Sequence, residues 1–496
     1  MNDATPSPSR PADAHAYPQR WAALGIMMLA NFMNLLDVTI VNVALPSLQQ
    51  RLKADSSQIE WVVAGYVLVF ALGLLPFGRL GDLKGKKEIF VFGVGAFTLA
   101  SALCGAAVNI EMLVLSRFIQ GAGAAIMTPQ VLAIAQVMFP PKERAAAFSL
   151  FGLSAGLASV SGPIIGGWLI GLDVLGLGWR PIFLINIPIG MIAMAGGLAL
   201  IPHIPTRPGL RNDFGGIALA AAGTFCIIFP LIEGRGFGWP WWCFVMIAAA
   251  FAFFVAFYLW ERHQRRTDGP QVLPISLMRN RNYVIGAVMT AVYFSSLPGF
   301  FLVFAMYLQK GFGLTPLQSG QTTVPFSLGI LIASLVSGRI GAIAPRIRIV
   351  VGVLMVACGM VLLRQEIMGF TDAVDRMALL PWLGLSGLGM GIAIAPMFQV
   401  VLAGVPPQDA GSGSGALQAF QQMGSVFGIA IVSEVFFGSL QRALGEGKGE
   451  HQAYADSLAT ALIYNFVAYA LVLIAVSMLR ARPGSETVAA PPLPVE

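Results

Sequence analysis

Gly78-Arg79-Leu80-Gly81-Asp82-Leu83-Lys84-Gly85-Lys86-Lys87 separates two apolar runs, 61–77 and 89–107. Each run is close to the ~20 residues that a helix needs to cross the hydrocarbon of a bilayer. Two spans joined by so short a link form a tight hairpin, and the glycines permit the turn and a close backbone approach. The link carries Arg79, Lys84, Lys86 and Lys87. Basic loops are retained on the cytoplasmic side, so the link is expected there. Asp82 is an acid inside this basic loop, and charge retention alone does not require it.

The rest of the chain agrees with a membrane reading. Of its 496 residues, 56% are hydrophobic and 11% charged, and the mean hydropathy is +0.76. A soluble protein carries about 25% charged residues, so most of this chain is span. The net charge of +6 belongs to basic loops beside anionic lipid and is not a nucleic-acid signal. Cys104, Cys226, Cys243 and Cys358 all lie in apolar runs, so no disulfide framework is expected. His15, His203, His263 and His451 sit in a tail or in loops without metal-ligand spacing, which predicts no metal site and no cofactor. The basic link fails the phosphate-cradling pattern of an ATP-driven pump, and no nucleophile motif stands at a span end, so an enzyme is not expected. Residues 1–20 are polar and Pro-rich and read, like 481–496, as a disordered cytoplasmic tail.

About 14 apolar segments reach spanning length, at 21–45, 58–77, 88–107, 111–139, 145–171, 181–201, 212–232, 241–260, 282–308, 317–341, 347–367, 377–403, 411–437 and 457–480. With both termini inside, the larger share of Lys/Arg falls on the cytoplasmic side, including the basic loops at 79–87, 262–281 and 339–348. An internal repeat is visible. Gly338-Arg339-Ile340-Gly341 follows span 10 as Gly78-Arg79-Leu80-Gly81 follows span 2, although Ala342 replaces the acid and Pro345 replaces Gly85. Gly121-Ala122-Gly123…Pro129 in span 4 recurs as Gly387-Leu388-Gly389…Pro396 in span 12. Spans 1–6 and 9–14 therefore read as related halves. The expected organisation is an N-terminal six-helix bundle over 21–205, two linker spans and a cytoplasmic loop over 206–275, and a C-terminal six-helix bundle over 276–480.

These motifs carry a resemblance. The stretch 78–87 matches every position of G-x-L-x-D-x-x-G-[RK]-[RK], the pattern between spans 2 and 3 of the major facilitator superfamily. The resemblance implies an all-α fold of two pseudo-symmetric bundles with the substrate site between them near the midplane. It also implies that Gly78, Arg79, Asp82, Gly85, Lys86 and Lys87 form a latch between the cytoplasmic ends of the bundles. Leu36-Asp37-Val38-Thr39-Ile40-Val41-Asn42-Val43-Ala44-Leu45-Pro46, Trp179-Arg180-Pro181-Ile182-Phe183-Leu184-Ile185-Asn186-Ile187-Pro188-Ile189-Gly190 and Tyr307-Leu308-Gln309…Gly313-Leu314-Thr315-Pro316-Leu317 are similar to segments of the narrower group of 14-span drug:proton antiporters.

Charges within spans are costly, so each is a functional candidate. Asp37 lies about 16 residues into span 1, roughly 24 Å along the helix, on a face shared with Asn31 and Asn34. Burial at that depth disfavours its charged form, so it could hold a proton or a cationic solute, one excluding the other. A second reading makes Asp37 a local tie to backbone. Arg117, in Arg117-Phe118-Ile119-Gln120-Gly121-Ala122-Gly123, matches the span-4 pattern R-x-x-Q-G-x-G of the family. A guanidinium does not deprotonate, so its expected work is to pair with or tune a nearby acid. Glu434 lies about 160° around span 13 from Gln418; it is a second candidate for proton coupling, or an acid at the outer rim. Ser161-Gly162-Pro163-Ile164-Ile165-Gly166-Gly167 resembles the antiporter motif G-x-x-x-G-P-x-x-G-G, with Ala158 in place of the first glycine. The resemblance assigns Gly162, Pro163, Gly166 and Gly167 to exchange, while on physical grounds the same residues make a kink and a small-residue packing face.

Asn34, Gln120, Tyr293, Gln321, Gln399 and Gln421 are the candidate polar wall of a substrate cavity, with Phe294, Phe300, Phe301, Met390, Met397 and Phe420 as adaptable apolar surface. The expected function is export of amphipathic drugs or toxic organic compounds by substrate/proton antiport from a bacterial inner membrane. The alternative is an exporter of one endogenous metabolite, such as a siderophore, antibiotic or amino-acid derivative. The expected partners are a small-molecule substrate, protons and the lipid bilayer, with no nucleic acid; a periplasmic adaptor is not legible.

Overall fold

The computed structural model describes residues 17–479 apart from 55, 141–142, 174–175, 205–212, 235, 338–343 and 371–372. The described residues are helical and include no strand. In order the helices are α1 (Arg20–Leu52), α2 (Ser56–Lys84), α3 (Lys86–Ala106), α4 (Ile110–Met138), α5 (Arg144–Gly171), α6 (Pro181–Leu184), α7 (Asn186–Leu200), α8 (Phe214–Glu233), α9 (Trp241–Arg266), α10 (Ile275–Met278), α11 (Arg281–Met306), α12 (Pro316–Ser337), α13 (Pro345–Gly369), α14 (Arg376–Leu402), α15 (Ala410–Gly445) and α16 (Glu450–Met478). Among the described residues, 14 helical stretches are long and apolar enough to cross a membrane. One of them, Pro181–Leu200, joins α6 to α7. The tails at 1–16 and 480–496, and the second basic motif at 338–342, lie outside the described residues.

The basic stretch 78–87 is mostly helix. α2 continues to Lys84 and α3 begins at Lys86, so Gly85 alone breaks the path, at φ +104°. Only glycine occupies that conformation without a Cβ penalty. The motif is thus two helix ends meeting at one glycine rather than a loop. α15 likewise extends beyond its expected limits of 411–437, and α1 runs past Pro46 to Leu52.

The chain divides into two compact units. Unit 1 holds 1–212, 334–342 and 406–415; unit 2 holds 213–333, 343–405 and 416–496. In unit 1, α4 packs on α2 and α3, and α1 packs on α5 and α7. In unit 2, α14 packs on α13, and α16 packs on α11 and α13. α8 and α9 pack mainly on each other. Asp213 caps α8 by accepting the Gly216 N–H at 2.9 Å, and it also accepts from Trp260 Nε1 of α9 at 2.9 Å.

The internal repeat is a repeat of packing. A Cβ on Gly121 of α4 would lie 2.5 Å from the Tyr66 carbonyl of α2, and one on Gly123 would lie 2.6 Å from Phe97 N of α3. In unit 2, a Cβ on Gly387 of α14 would overlap the Phe326 carbonyl of α12, and one on Gly389 would lie 2.7 Å from Val356 N of α13. Helices in lipid gain little from hydrophobic exclusion of one another, so small residues that let backbones approach closely carry the association.

Candidate functional site

The centre of unit 1 is a polar network with no solvent-exposed member. Asp37 of α1 is fully buried and Arg117 of α4 is 1% exposed. Arg117 NH1 donates to Asp37 Oδ2 at 2.5 Å and to Gln120 Oε1 at 2.6 Å, while its Nε donates to the Val62 carbonyl of α2 at 2.9 Å. The guanidinium lies 4.2 Å from the Tyr66 ring centroid and 5.9 Å from that of Phe183. Gln120 Nε2 donates to Asp37 Oδ1 and to Ser101 Oγ of α3, both at 2.8 Å. Asn186 Nδ2 of α7 donates to Asp37 Oδ1 at 3.1 Å. One turn away on α1, Asn34 Oδ1 accepts from Tyr66 Oη.

Local sequence explains this convergence. Arg117 and Gln120 stand at i and i+3, on the face of α4 that Gly121 and Gly123 bring against α2 and α3. Asn186 stands where span 6 is interrupted. Pro188 has no N–H to give the Leu184 carbonyl, and the helix breaks at Ile185, between α6 and α7. Next to the network, an apolar cluster of Ile40, Ala44, Leu48, Val62, Trp179 and Phe183 is fully buried. Removing one partner of a buried ion pair leaves an uncompensated charge and costs about 3–5 kcal/mol, so Asp37 and Arg117 hold each other in place.

The sequence brings Asp37, Arg117, Gln120 and Asn34 forward as candidates, and the structure gathers all four in one place. It adds Tyr66, Ser101, Cys104 and Asn186. Cys104 Sγ donates to Gln120 Oε1 at 3.5 Å. A lone amide two residues before a proline, inside the apolar run Phe183-Leu184-Ile185-Asn186-Ile187-Pro188, was the available signal for Asn186. Ser101 and Cys104 left none, because small polar side chains are ordinary in spans.

The span-5 motif abuts this network. Thr39 lies two residues beyond Asp37, and its Oγ1 donates to the Ala158 carbonyl of α5 at 3.2 Å. A Cβ on Gly162 would run into Thr39. Gly166 is buried, whereas Gly167 is exposed with open space beside it. The side chain of Pro163 lies outside the described residues.

Asp82 is a second buried acid of unit 1, and it serves as the cap of α15. Its Oδ1 accepts from Gly411 N at 2.9 Å, and its Oδ2 accepts from Ser412 N at 2.7 Å and Ser412 Oγ at 2.9 Å. Lys86 Nζ is 2.8 Å from Oδ1. A carboxylate at a helix N-terminus satisfies orphan N–H groups and meets the positive end of the helix dipole. Arg79 NH1 lies 3.9 Å from Asp409 Oδ1, Lys87 Nζ donates to the Leu198 carbonyl at 2.7 Å, and a Cβ on Gly78 would lie 2.5 Å from the Gly411 carbonyl.

The candidates in unit 2 are neutral or peripheral. Tyr293 is fully buried, 6.4 Å from the Tyr469 ring, and its Oη has no hydrogen-bond partner among the described residues. Gln399 Oε1 is likewise buried without a partner. Gln321 is exposed and Gln421 half-buried. Glu434 is exposed and accepts from Trp239 Nε1, in the α8–α9 connection, at 2.7 Å. A cavity of about 330 Å³ between α13, α15 and α16 is lined by Arg364, Arg442, Glu446, Lys448 and Asp456 among others, and none of the sequence-derived candidates borders it.

The model of the Major Facilitator Superfamily matches residues 27–216 and 210–429. The chain belongs to the major facilitator superfamily. This facilitator is 40% identical over 427 residues to a probable actinorhodin transporter of Streptomyces coelicolor, covering 86% of this chain and 74% of the relative. It is 32% identical over 418 residues to a tetracenomycin C resistance and export protein of Streptomyces glaucescens, covering 83% and 74%. The crystal structure of the human organic anion transporter MFSD10 matches it with a TM-score of 0.62 and 15% identity, over 93% of this chain and 100% of that one. The facilitator is therefore a multi-pass membrane transporter rather than an enzyme, with relatives named for antibiotic resistance and export.

Proposed function

We propose that this transporter exports amphipathic organic compounds in exchange for protons, and that Asp37 is the acid through which the exchange is coupled. The observation that carries this reading is the fully buried Asp37–Arg117 pair. Protonation of Asp37 removes one charge of the pair, which changes what Arg117 must be bound to. A buried pair with two charge states is a switch that protons can bias. Glu434 stands second as a coupling group. Asn34, Gln120, Tyr293, Gln321, Gln399 and Gln421 contribute to the substrate path, and Gly162, Pro163, Gly166 and Gly167 serve the exchange step beside Thr39. Gly78, Arg79, Asp82, Gly85, Lys86 and Lys87 act as the conformational latch, supported by the grip of Asp82 on the start of α15. Both termini face the cytoplasm of a bacterial inner membrane. The functional bundles are 21–205 and 276–480, with the linker spans between them.

The deciding experiment uses proteoliposomes with an inside-acid gradient and ethidium outside. Gradient-driven ethidium uptake by the native chain, lost in Asp37→Asn, is the expected result. Movement indifferent to the gradient overturns proton coupling, and movement retained in the variant moves the coupling away from Asp37.

The names of the relatives favour a second reading, in which the substrate is one antibiotic metabolite. Running the same assay with actinorhodin and tetracenomycin C separates the two. Transport of either compound without ethidium transport supports the narrow exporter.

A further inference from the structure

Among the described residues, every hydrogen-bond partner of the Asp37 carboxylate is a donor. Arg117 NH1, Gln120 Nε2 and Asn186 Nδ2 all point a hydrogen at it. The arrangement suits an ionised carboxylate and offers nothing to the O–H of a neutral one. The titratable groups facing the carboxylate are Arg117 of α4, Tyr66 of α2 and Cys104 of α3. Arg117 has no acceptor atom. Tyr66 is engaged with Asn34 and Cys104 with Gln120. α7 presents the Asn186 amide, and α5 meets this part of α1 through the Ala158 carbonyl, which is taken by Thr39.

The two amides at the carboxylate differ. Gln120 uses both ends, because its Oε1 accepts from Arg117 and Cys104 while its Nε2 donates to Asp37 and Ser101. Turning it over would set its NH₂ against a guanidinium N–H. Asn186 uses one end only. Its Nδ2 donates to Asp37 and, at 3.3 Å, to Ser101 Oγ, while its fully buried Oδ1 has no partner among the described residues.

We infer that Asn186 reads the protonation state of Asp37 by turning its amide over. This rests on the proposed role of Asp37. When a proton binds Asp37 Oδ1, the O–H formed there needs an acceptor. A half-turn about Cβ–Cγ of Asn186 replaces Nδ2 with Oδ1 at that point, with no covalent change, and it gives up the Nδ2 bond to Ser101 Oγ. The Ser101 hydroxyl can then donate to the same Oδ1 in place of the Phe97 carbonyl, which it serves at 2.9 Å. In each orientation one end of the amide is unpartnered, so that cost is common to both and the charge of Asp37 selects between them. Asn186 is a positioning residue: it holds whichever form of the acid is present, and Gln120 keeps Arg117 in place meanwhile.

The test compares the native chain with Asn186→Ser, Asn186→Leu and Asp37→Asn in proteoliposomes. A serine hydroxyl both donates and accepts; leucine does neither. Gradient-driven ethidium uptake should fall about tenfold in Asn186→Leu, the equivalent of roughly one hydrogen bond. Ethidium counterflow without a gradient should change less than about twofold, and Asn186→Ser should recover most of the driven rate. Equal losses in both assays, or no rescue by serine, overturn the inference. Acid-minus-neutral infrared difference spectra of the same samples give a readout that needs no transport and serves if a variant is unstable. The native chain should show a carboxyl C=O band that is absent in Asp37→Asn, paired with a shifted asparagine amide C=O band that is absent in Asn186→Leu. A carboxyl band without the amide partner overturns the rotation. Absence of both the carboxyl band and driven uptake in the native chain overturns the coupling role of Asp37 itself, and the inference with it.

Discussion

Two glycine pairs make equivalent backbone contacts in the two units, yet the side chains before them differ in kind. Arg117 and Gln120 precede Gly121 in α4. At the same spacing, Leu383 and Ser386 precede Gly387 in α14. Leu383 is fully buried, and Ser386 returns its hydroxyl to its own helix at the Trp382 carbonyl, 2.9 Å away. The same crossing of three helices is therefore built once around a charged pair and once around a leucine. Close backbone approach holds the helices together in both, so the charges of unit 1 are not needed for the packing. The buried pair of unit 1 is thus a feature that the matching packing of unit 2 does without.

The largest expected effect breaks that contrast directly. Asp37→Leu or Arg117→Leu alone should destabilise the protein by about 3–5 kcal/mol, because each leaves a buried charge without its partner. The double variant makes unit 1 resemble unit 2 and should recover at least half of that loss while abolishing gradient-driven transport. Thermal unfolding of the purified variants in detergent, read as a double-mutant cycle, measures this. The converse change, Leu383→Arg, introduces an unpaired buried charge and should reduce folded yield more than any other single change in unit 2.

Next in size are the glycines. Gly121→Ala and Gly387→Ala each set a methyl against a backbone carbonyl of the neighbouring helix. Each should cost about 1–3 kcal/mol. Similar losses in both would confirm that the packing is shared. In transport, Gly121→Ala should have the greater effect, because it also shifts Arg117.

Smaller still is a pair of tyrosine changes. Tyr66→Phe deletes a bond to Asn34 and should cost about 1–2 kcal/mol in thermal unfolding. Tyr293→Phe deletes a hydroxyl with no partner among the described residues and should be neutral or slightly stabilising.

The smallest effect lies at a half-buried tie in unit 1. Arg20 Nε and NH2 donate to the Glu143 carboxylate at 2.7 and 2.8 Å. This bond holds the Glu143 carboxyl below the usual carboxylate range. A folded value below the unfolded one means that the pair stabilises the fold above the unfolded carboxylate range, and that this contribution fades as pH falls through the folded value. Melting temperatures of the native chain and Glu143→Gln should therefore differ near neutral pH and converge as pH falls below the usual carboxylate range.

The sequence by itself determined the class of fold, because spanning length, low charge and basic links are local properties that lipid enforces on every segment. The recurrence of Gly121-Ala122-Gly123 as Gly387-Leu388-Gly389 also announced the repeated packing. Asp37, Arg117 and Gln120 were legible because a charge or a large amide inside a span needs a reason. Their convergence was not, since residues 37, 117 and 186 meet only when α1, α4 and α7 pack together. The helical nature of the basic stretch was hidden because helix continues to either side of Gly85, and one positive φ suffices for the turn. Glu434 and Asp37 are both single acids in apolar runs, set apart in the sequence by the place of Glu434 about 160° around its helix from Gln418. Only tertiary packing decided that one faces Trp239 at the surface while the other is shut in with a guanidinium and two amides.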